Sequence, residues 1–409
     1  MTDSSASVFI KRTTSLSGVP HRLPASKSIS NRVLIMDALA GQQSRLENLS
    51  DANDTQLMMR LVNTSNALID VQDAGTTMRF LTAYFAVTNQ KKTITGTERM
   101  KERPIGILVD ALRSLGGDIS YLEKEGFPPL QLNGFGEQRI RQMAIRGDIS
   151  SQFISALLMI APVLPSGVAL TLEGKVGSRP YIEMTLALMK TFGVDASFEG
   201  NTISVKRQTY RPVDFTVESD WSAASYWFAF VALAKDARIE LPRIFLNSLQ
   251  GDRAIVDIMK HLGVSVTETS NSLVLEKSGA AKSIEWDFTH CPDLAQTIAV
   301  VCAAKGIYGN FIGLESLRIK ETDRITALQN ELRKIGADLR ETNGDRWLLV
   351  PSSSLPPTCP FDTYKDHRMA MAFAPLSTLM DVEIKNSMVV RKSYPNYWND
   401  LKSVGITLV

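Results

Sequence analysis

The sequence predicts a mixed α/β (α+β) protein of two similar domains, each built from three β-α-β-α-β-β units. Three observations predict it. Six segments open on polar residues and run into ten to fifteen apolar-rich residues at helical spacing. Each is followed by a strand-like stretch and a second helical pattern that tends to close on glycine. After most of these comes a hairpin-like pair.

Taken in order, "SVFIKR" (7–12) is a lone strand ahead of the first unit, expected to pair with the last ones. The first helices are "SKSISNRVLIMDALAG" from Ser26, "GTTMRFLTAYFAVT" from Gly75, "SSQFISALLMIAPVL" from Ser150, "WSAASYWFAFVALAK" from Trp221, "PDLAQTIAVVCAAKG" from Pro292 and "DHRMAMAFAPLSTLM" from Asp366. A Ser, Asp or Gly opening an apolar run marks a helix N-terminus, because its side chain or its small size satisfies the unpaired first amides. "KTITG", "VALTLEG" and "VEIKNS" read as strands.

The second helices are "NDTQLMMRLVNTSN", "RPIGILVDALRSLGG", "RPYIEMTLALMKTFG", "GDRAIVDIMKHLG", "TDRITALQNELRKIG" and "YPNYWNDLKSVG". Proline near the start and glycine past the end is the expected capping asymmetry. "ADLRETNGDRWLLV" reads as a hairpin on an Asn-Gly turn. Six such units exceed one core, so two domains of three are expected: residues 1–20 plus 219–409 as one discontinuous domain and 21–218 inserted in it.

Lys+Arg 45 against Asp+Glu 43 leaves a net charge of +2, which provides no field for nucleic acid or an anionic membrane. Any anion site is therefore local. Three cysteines without C-x-x-C spacing indicate neither a disulfide scaffold nor a zinc site, and suit a reducing cytoplasm. No signal peptide or membrane-spanning run is read, and without an interface motif a monomer is the default.

The chemistry-rich residues gather at helix openings. Lys27 with Ser28, Gly75, Ser150 with Ser151 and Gln152, Asp293, and His367 with Arg368 open first helices. Arg103, Ser178 with Tyr181, Lys320 through Arg324, and Lys392 stand at second ones. Helix N-termini bind anions through free amides and the helix dipole. With Lys27, Arg32, Arg103, Lys320, Arg324, Arg368 and Lys392 on that face, two anionic ligands or one polyanion held between two domains are expected. Alone, "KETDR" (320–324) reads as a solvated helix face. Among so many cations, Asp293 and Glu321 become candidates for proton transfer. No Walker-type loop and no magnesium constellation is visible, so a reaction without metal, nucleotide or other cofactor is expected.

"LPASKSISNR" (23–32), "DAGTTMRFL" (73–81), "ERMKERPIG" (98–106), "DISSQFISALLM" (148–159), "LRIKETDR" (317–324) and "DHRMAMAF" (366–373) resemble, in order and spacing, the 5-enolpyruvylshikimate-3-phosphate synthase family. The resemblance covers essentially the whole chain. It implies two domains of three units, each around a pseudo-threefold axis. It also implies transfer of the enolpyruvyl group of phosphoenolpyruvate to the 5-hydroxyl of shikimate 3-phosphate by addition and elimination, with release of phosphate, in chorismate and aromatic amino-acid biosynthesis. By the same resemblance Ser28, Arg32, Ser150, Ser151, Ser178, Tyr181, Asp293 and Lys320 hold shikimate 3-phosphate. Lys27, Gly75, Arg103, Gln152, Arg324, Arg368 and Lys392 surround phosphoenolpyruvate; Lys27 and Gln152 are also placed toward the first substrate. Glu321 matches the acid at C3, Asp293 the group beside the 5-hydroxyl, and Lys27 a further proton-transfer candidate. Asp323 is expected to be structural, and His367 to face the cleft.

Four positions depart from the commonest family pattern. Asp73 and Ser316 stand where Asn is frequent, Ala25 where Gly is, and Phe80 where Pro is. Two rivals are a UDP-N-acetylglucosamine enolpyruvyl transferase and a non-catalytic anion-binding protein of similar fold. The first usually carries a reactive Cys or Asp in the loop before its "RP" helix, where "GTERMKERP" has no cysteine; the second needs neither Asp293 nor Glu321. Cys291 reads as a small buried hydrophobe, and His261 and His290 as structural.

Overall fold

The six polar-to-apolar segments form helices Lys27–Leu39, Gly75–Val87, Ser151–Ile160, Trp221–Leu233, Ala295–Lys305 and His367–Phe373 in the computed structural model, which describes residues 6–342 and 345–409. The chain divides into two units. One comprises the chain up to Ala25 together with Glu218–Val409; the other is Ser26–Val217. The first crossing falls at Ala25, beyond residue 20, because Asp220 N donates to Pro24 O at 2.8 Å and Ala25 bridges Ser219.

Within each unit the three first helices touch one another, and three sheets accompany them. This inner position explains their sequences. Every residue of Trp221–Leu233 except Ser222 is buried, as is every residue of Ser151–Ile160 except Gln152. A helix apolar on all sides belongs inside a core. The second helices are amphipathic instead: Ile255–Leu262 buries Ile255, Ile258, Met259 and Leu262, one stripe at helical spacing.

Four sheets share one strand order. In one of them Ser283–Asp287 lies parallel to Tyr308–Ile312, which pairs antiparallel with Arg346–Val350, and Asp338–Glu341 closes the edge. A parallel pair needs a crossover, and the first helix supplies it. The Asn343–Gly344 turn of this hairpin lies outside the described residues. The two remaining sheets keep the parallel pair: Arg45–Glu47 with Asp214–Thr216, and Thr358–Phe361 with Asp381–Ile384. The lone N-terminal strand, Val8–Ile10, pairs antiparallel with Asp381–Ile384.

One copy in each unit is interrupted in sequence, its first strand being supplied from a distant part of the chain. In one unit strand Ser15–Gly18 lies parallel to Asp236–Pro242, which follows helix Trp221–Leu233. In the other, Asp214–Thr216 takes the corresponding place beside the strand that follows helix Lys27–Leu39. Among the described residues no helix is long and apolar enough to cross a membrane.

Candidate active site

In the unit containing Glu218–Val409, the openings of several helices bring their charges together. Arg324, 2% exposed, donates from Nε to Asp366 Oδ2 at 2.6 Å, from Nη1 to Asp293 Oδ1 at 3.0 Å and from Nη2 to Glu321 Oε2 at 2.8 Å. Arg368 donates from Nη2 to Asp293 Oδ2 at 2.7 Å and from Nη1 to the Tyr226 hydroxyl at 3.3 Å. Lys392 Nζ lies 3.3 Å from Glu321 Oε1, and Lys320 Nζ 4.0 Å from Asp293 Oδ1. The predicted Asp293, Lys320, Glu321, Arg324, Arg368 and Lys392 thus form one network, with Asp293 and Arg324 at its centre.

Burial and charge oppose each other here. Burial alone would raise the Asp293 carboxyl, but Arg368, Lys320 and Arg324 hold it below the usual carboxylate range. Burial lowers the Lys320 ammonium, against the pull of Asp293. Arg324 is held above its ordinary value by Asp366, Glu321 and Asp293 in spite of desolvation. Four cations share three carboxylates, Asp293, Glu321 and Asp366, so most of the positive charge expected from sequence is compensated within this network.

The caps also differ from the expectation of free amides. Asp323 Oδ1 accepts from Ile325 N and Thr326 N, both at 3.1 Å, and Asp366 Oδ1 from Arg368 N at 2.8 Å. At these two helices the carboxylates occupy first-turn donors, whereas the helices opening at Gly75 and Pro292 have no side-chain cap. Asp323 is a helix cap, as expected. Lys392 closes the short helical turn Ser387–Lys392 and does not open the following helix, which begins at Tyr397. His367 is 1% exposed, its Nδ1 3.5 Å from Asp366 Oδ1, so its imidazole lies in the interior.

In unit Ser26–Val217 the candidates form a second group. Lys27 Nζ lies 3.3 Å from Asp54 Oδ2, and Gln152 Nε2 donates to Thr76 Oγ1 at 3.1 Å. Gly75 sits under Arg103: a Cβ there would come within 2.7 to 2.9 Å of the guanidinium. Arg103 Nη1 reaches the Asp73 carbonyl at 3.5 Å, and the Asp73 carboxylate accepts from the Thr97 hydroxyl. That carboxylate is therefore occupied by the cap residue of the helix Glu98–Lys101.

Ser28, Ser150, Ser151, Ser178 and Tyr181 lie at the starts of three helices of this unit. Ser178 adopts φ 52°, a left-handed conformation that is uncommon for a residue with a side chain and concentrates at functional sites. Arg32 is 2% exposed and works from beneath them. It donates from Nε to Thr185 Oγ1 at 2.7 Å, from Nη1 to the Ser28 carbonyl at 2.8 Å and from Nη2 to Ser155 Oγ at 3.0 Å. Its partners are neutral oxygens, and burial lowers its pKa to about 10.

The departures have mixed places. Phe80 stacks 5.4 Å under the Arg32 guanidinium, Ala25 is buried in the strand bridge to Ser219, and Ser316 is exposed. Cys291 is buried, which pushes its thiol to about 12, and His261 and His290 are exposed. Sequence reasoning missed Asp54, Ser222, Tyr226, Asp252 and the full role of Asp366. Only Asp252 left a signal: "GDR" at 251–253 repeats the "TDR" of KETDR at the same place in its unit. Among the described residues no group of three or more His, Cys, Asp or Glu is arranged to hold a metal ion.

The chain matches the family model for EPSP synthase (3-phosphoshikimate 1-carboxyvinyltransferase) over residues 10–64 and 61–401. It is 49% identical over 388 residues to a 3-phosphoshikimate 1-carboxyvinyltransferase of Bacteroides fragilis (strain YCH46), covering 94% of each chain. To the protein of the same name from Vibrio campbellii it is 36% identical over 413 residues, covering 93% of this chain and 96% of that one. An EPSP synthase structure from Acinetobacter baumannii superposes with a TM-score of 0.80 at 19% identity, over 99% of this chain and 100% of that one, a likeness of fold.

Proposed function

The chain belongs to the EPSP synthase (3-phosphoshikimate 1-carboxyvinyltransferase) family, and on that premise we propose how its own residues divide the reaction. The protein is a transferase that moves the enolpyruvyl group of phosphoenolpyruvate to shikimate 3-phosphate in aromatic biosynthesis.

The observation that carries the proposed division is the position of Glu321, its two oxygens shared between Arg324 at 2.8 Å and Lys392 at 3.3 Å. A carboxyl so placed is oriented by two cations that also attract the carboxylate and phosphate of phosphoenolpyruvate. As phosphoenolpyruvate draws Arg324 and Lys392 to its own anions, Glu321 takes up a proton and gives it to C3; the 5-hydroxyl of shikimate 3-phosphate attacks C2, and its proton passes by way of Asp293 to the phosphate that leaves. The tetrahedral adduct then returns the C3 proton to Glu321 as the C2–O bond to phosphate breaks.

Asp293, held ionised, orients the 5-hydroxyl as a hydrogen-bond acceptor. Arg103, Arg324, Arg368 and Lys392, with Gly75 and Gln152, take phosphoenolpyruvate, while the buried His367 supports them from the interior. Ser28, Ser150, Ser151, Ser178, Tyr181 and Lys320 take shikimate 3-phosphate, with Arg32 supporting them from below. Lys27, paired with Asp54, is available to either substrate and to proton transfer. The cations stabilise charge that accumulates on the adduct. We place the working protein in the cytoplasm as a monomer; its described cysteines are all buried free thiols, which suits a reducing compartment.

The test is phosphate release from phosphoenolpyruvate, without metal or nucleotide, in the presence of either shikimate 3-phosphate or UDP-N-acetylglucosamine. Release with shikimate 3-phosphate alone is expected. Release with the UDP-sugar alone would transfer the assignment to the sister enzyme.

A further inference from the structure

Asp252 lies behind the Arg324 network, outside the groups assigned to either substrate. It is 2% exposed. Its Oδ2 accepts from the Ser222 hydroxyl, whose oxygen in turn accepts from Arg368 Nη2 at 3.4 Å. Its Oδ1 is buried without a hydrogen-bond partner, and among the described residues no Lys or Arg nitrogen forms a salt bridge with it. An ionised carboxylate in such a place is poorly solvated; a neutral acid is not.

The charge balance gives this a consequence. The four cations of the network, Lys320, Arg324, Arg368 and Lys392, pair with three carboxylates, and Asp252, one hydroxyl away from Arg368, is the fourth. An entering phosphate brings about two negative charges. It meets a neutral cluster, and binding is favoured if one carboxylate gives up its charge.

We propose that the anion bound at Arg368 enters together with a proton from solvent, taken up on Asp252, which stays joined to Ser222 as a neutral acid while Arg368 turns its charge to the ligand. This rests on the reading that Arg368 grips phosphoenolpyruvate. The other carboxylates are worse sites for the proton. Asp293 is held ionised by three cations and Asp366 pairs directly with Arg324; a proton on Glu321 belongs to the reaction itself and is common to wild type and Asp252→Asn. Burial, then the negative charge of Asp293, raises the Asp252 carboxyl to about 7; Asp220 adds to this, while Arg368 and the Ser222 hydroxyl oppose it. Cys291 also faces it, its thiol raised in part by Asp252.

The test is the KM for phosphoenolpyruvate at saturating shikimate 3-phosphate, from pH 6 to 8. Wild type, Asp252→Asn and Ser222→Ala are compared. Ionisation of the substrates is common to all three, so ratios isolate the protein. One proton taken up at a group titrating near 7 makes the wild-type KM rise about tenfold over this range relative to Asp252→Asn. Ser222→Ala removes a donor to the ionised form, so its rise is expected at higher pH.

A wild-type to Asn ratio that is constant with pH overturns the proposal, as does a Ser222→Ala profile that does not move. A merely structural Asp252 would shift neither profile along the pH axis. If Asp252→Asn does not fold, the Ser222→Ala profile decides. Arg368→Ala separates the two ideas: an unchanged KM for phosphoenolpyruvate there removes the reading beneath, whereas a raised KM with a constant ratio removes only the proton.

Discussion

Arg324 Nε donates to Asp366 Oδ2 across 2.6 Å, and both side chains are sealed from solvent, at 2% and 0% exposure. Because Asp366 also caps the helix carrying Arg368, one carboxylate positions both arginines of the network. Removing one partner of a buried pair leaves an uncompensated charge and costs about 3–5 kcal/mol. Asp366→Ala is expected to lose that much stability in urea unfolding and most of kcat/KM. A variant with wild-type stability and turnover would show that the pair organises nothing.

Glu321→Gln keeps the size and the acceptor oxygen facing Arg324 but cannot donate and recover a proton at C3. General acid–base catalysis contributes about 10²–10⁴ in rate. We expect kcat to fall by at least about a hundredfold while both KM values change little. Retention of full turnover would take KETDR out of the chemistry.

Gly75 is required by its neighbour. A methyl group at this position would meet the Arg103 guanidinium at 2.7 Å, and the flexible arginine would yield before the backbone does. Gly75→Ala should therefore raise the KM for phosphoenolpyruvate about tenfold, equivalent to about 1.4 kcal/mol of binding, with a smaller loss in kcat. Arg103→Lys in the same background tests the cause: if the two changes are fully additive, the contact is not the route.

Arg32 spends its guanidinium fork on Thr185, Ser155 and the Ser28 carbonyl. A lysine has the charge but not the fork. Arg32→Lys is expected to raise the KM for shikimate 3-phosphate about as far as Arg32→Met does, and to lower the thermal midpoint. Rescue of that KM by lysine would mean that charge alone matters there.

The helices were legible in the sequence because their causes are local. Ser26, Ser150, Asp220 and Asp366 are caps whose side chains accept first-turn amides, and Gly263 and Gly306 end helices in the left-handed region, where a glycine costs least. The repeat was legible for the same reason, as one local plan written six times. So were most charged residues of the candidate site, since helix openings can be found from chain order.

What the sequence could not decide was the company those residues keep. Arg32 meets Ser155 and Thr185 from 123 and 153 positions away, and Arg368 meets Asp293 from 75. These distances belong to the packing of helices against one another, which also sets how far each charge is desolvated. Counting cations along the chain therefore gave an excess of positive charge, whereas in space each cation of the Arg324 network faces a carboxylate. The sequence by itself determined the elements, their order and the chemistry available at their ends. The tertiary structure alone decided which charges cancel and which carboxylate, Asp252, is left buried without a cation in contact, because Coulomb energy and burial depend on separation in space and not on separation along the chain.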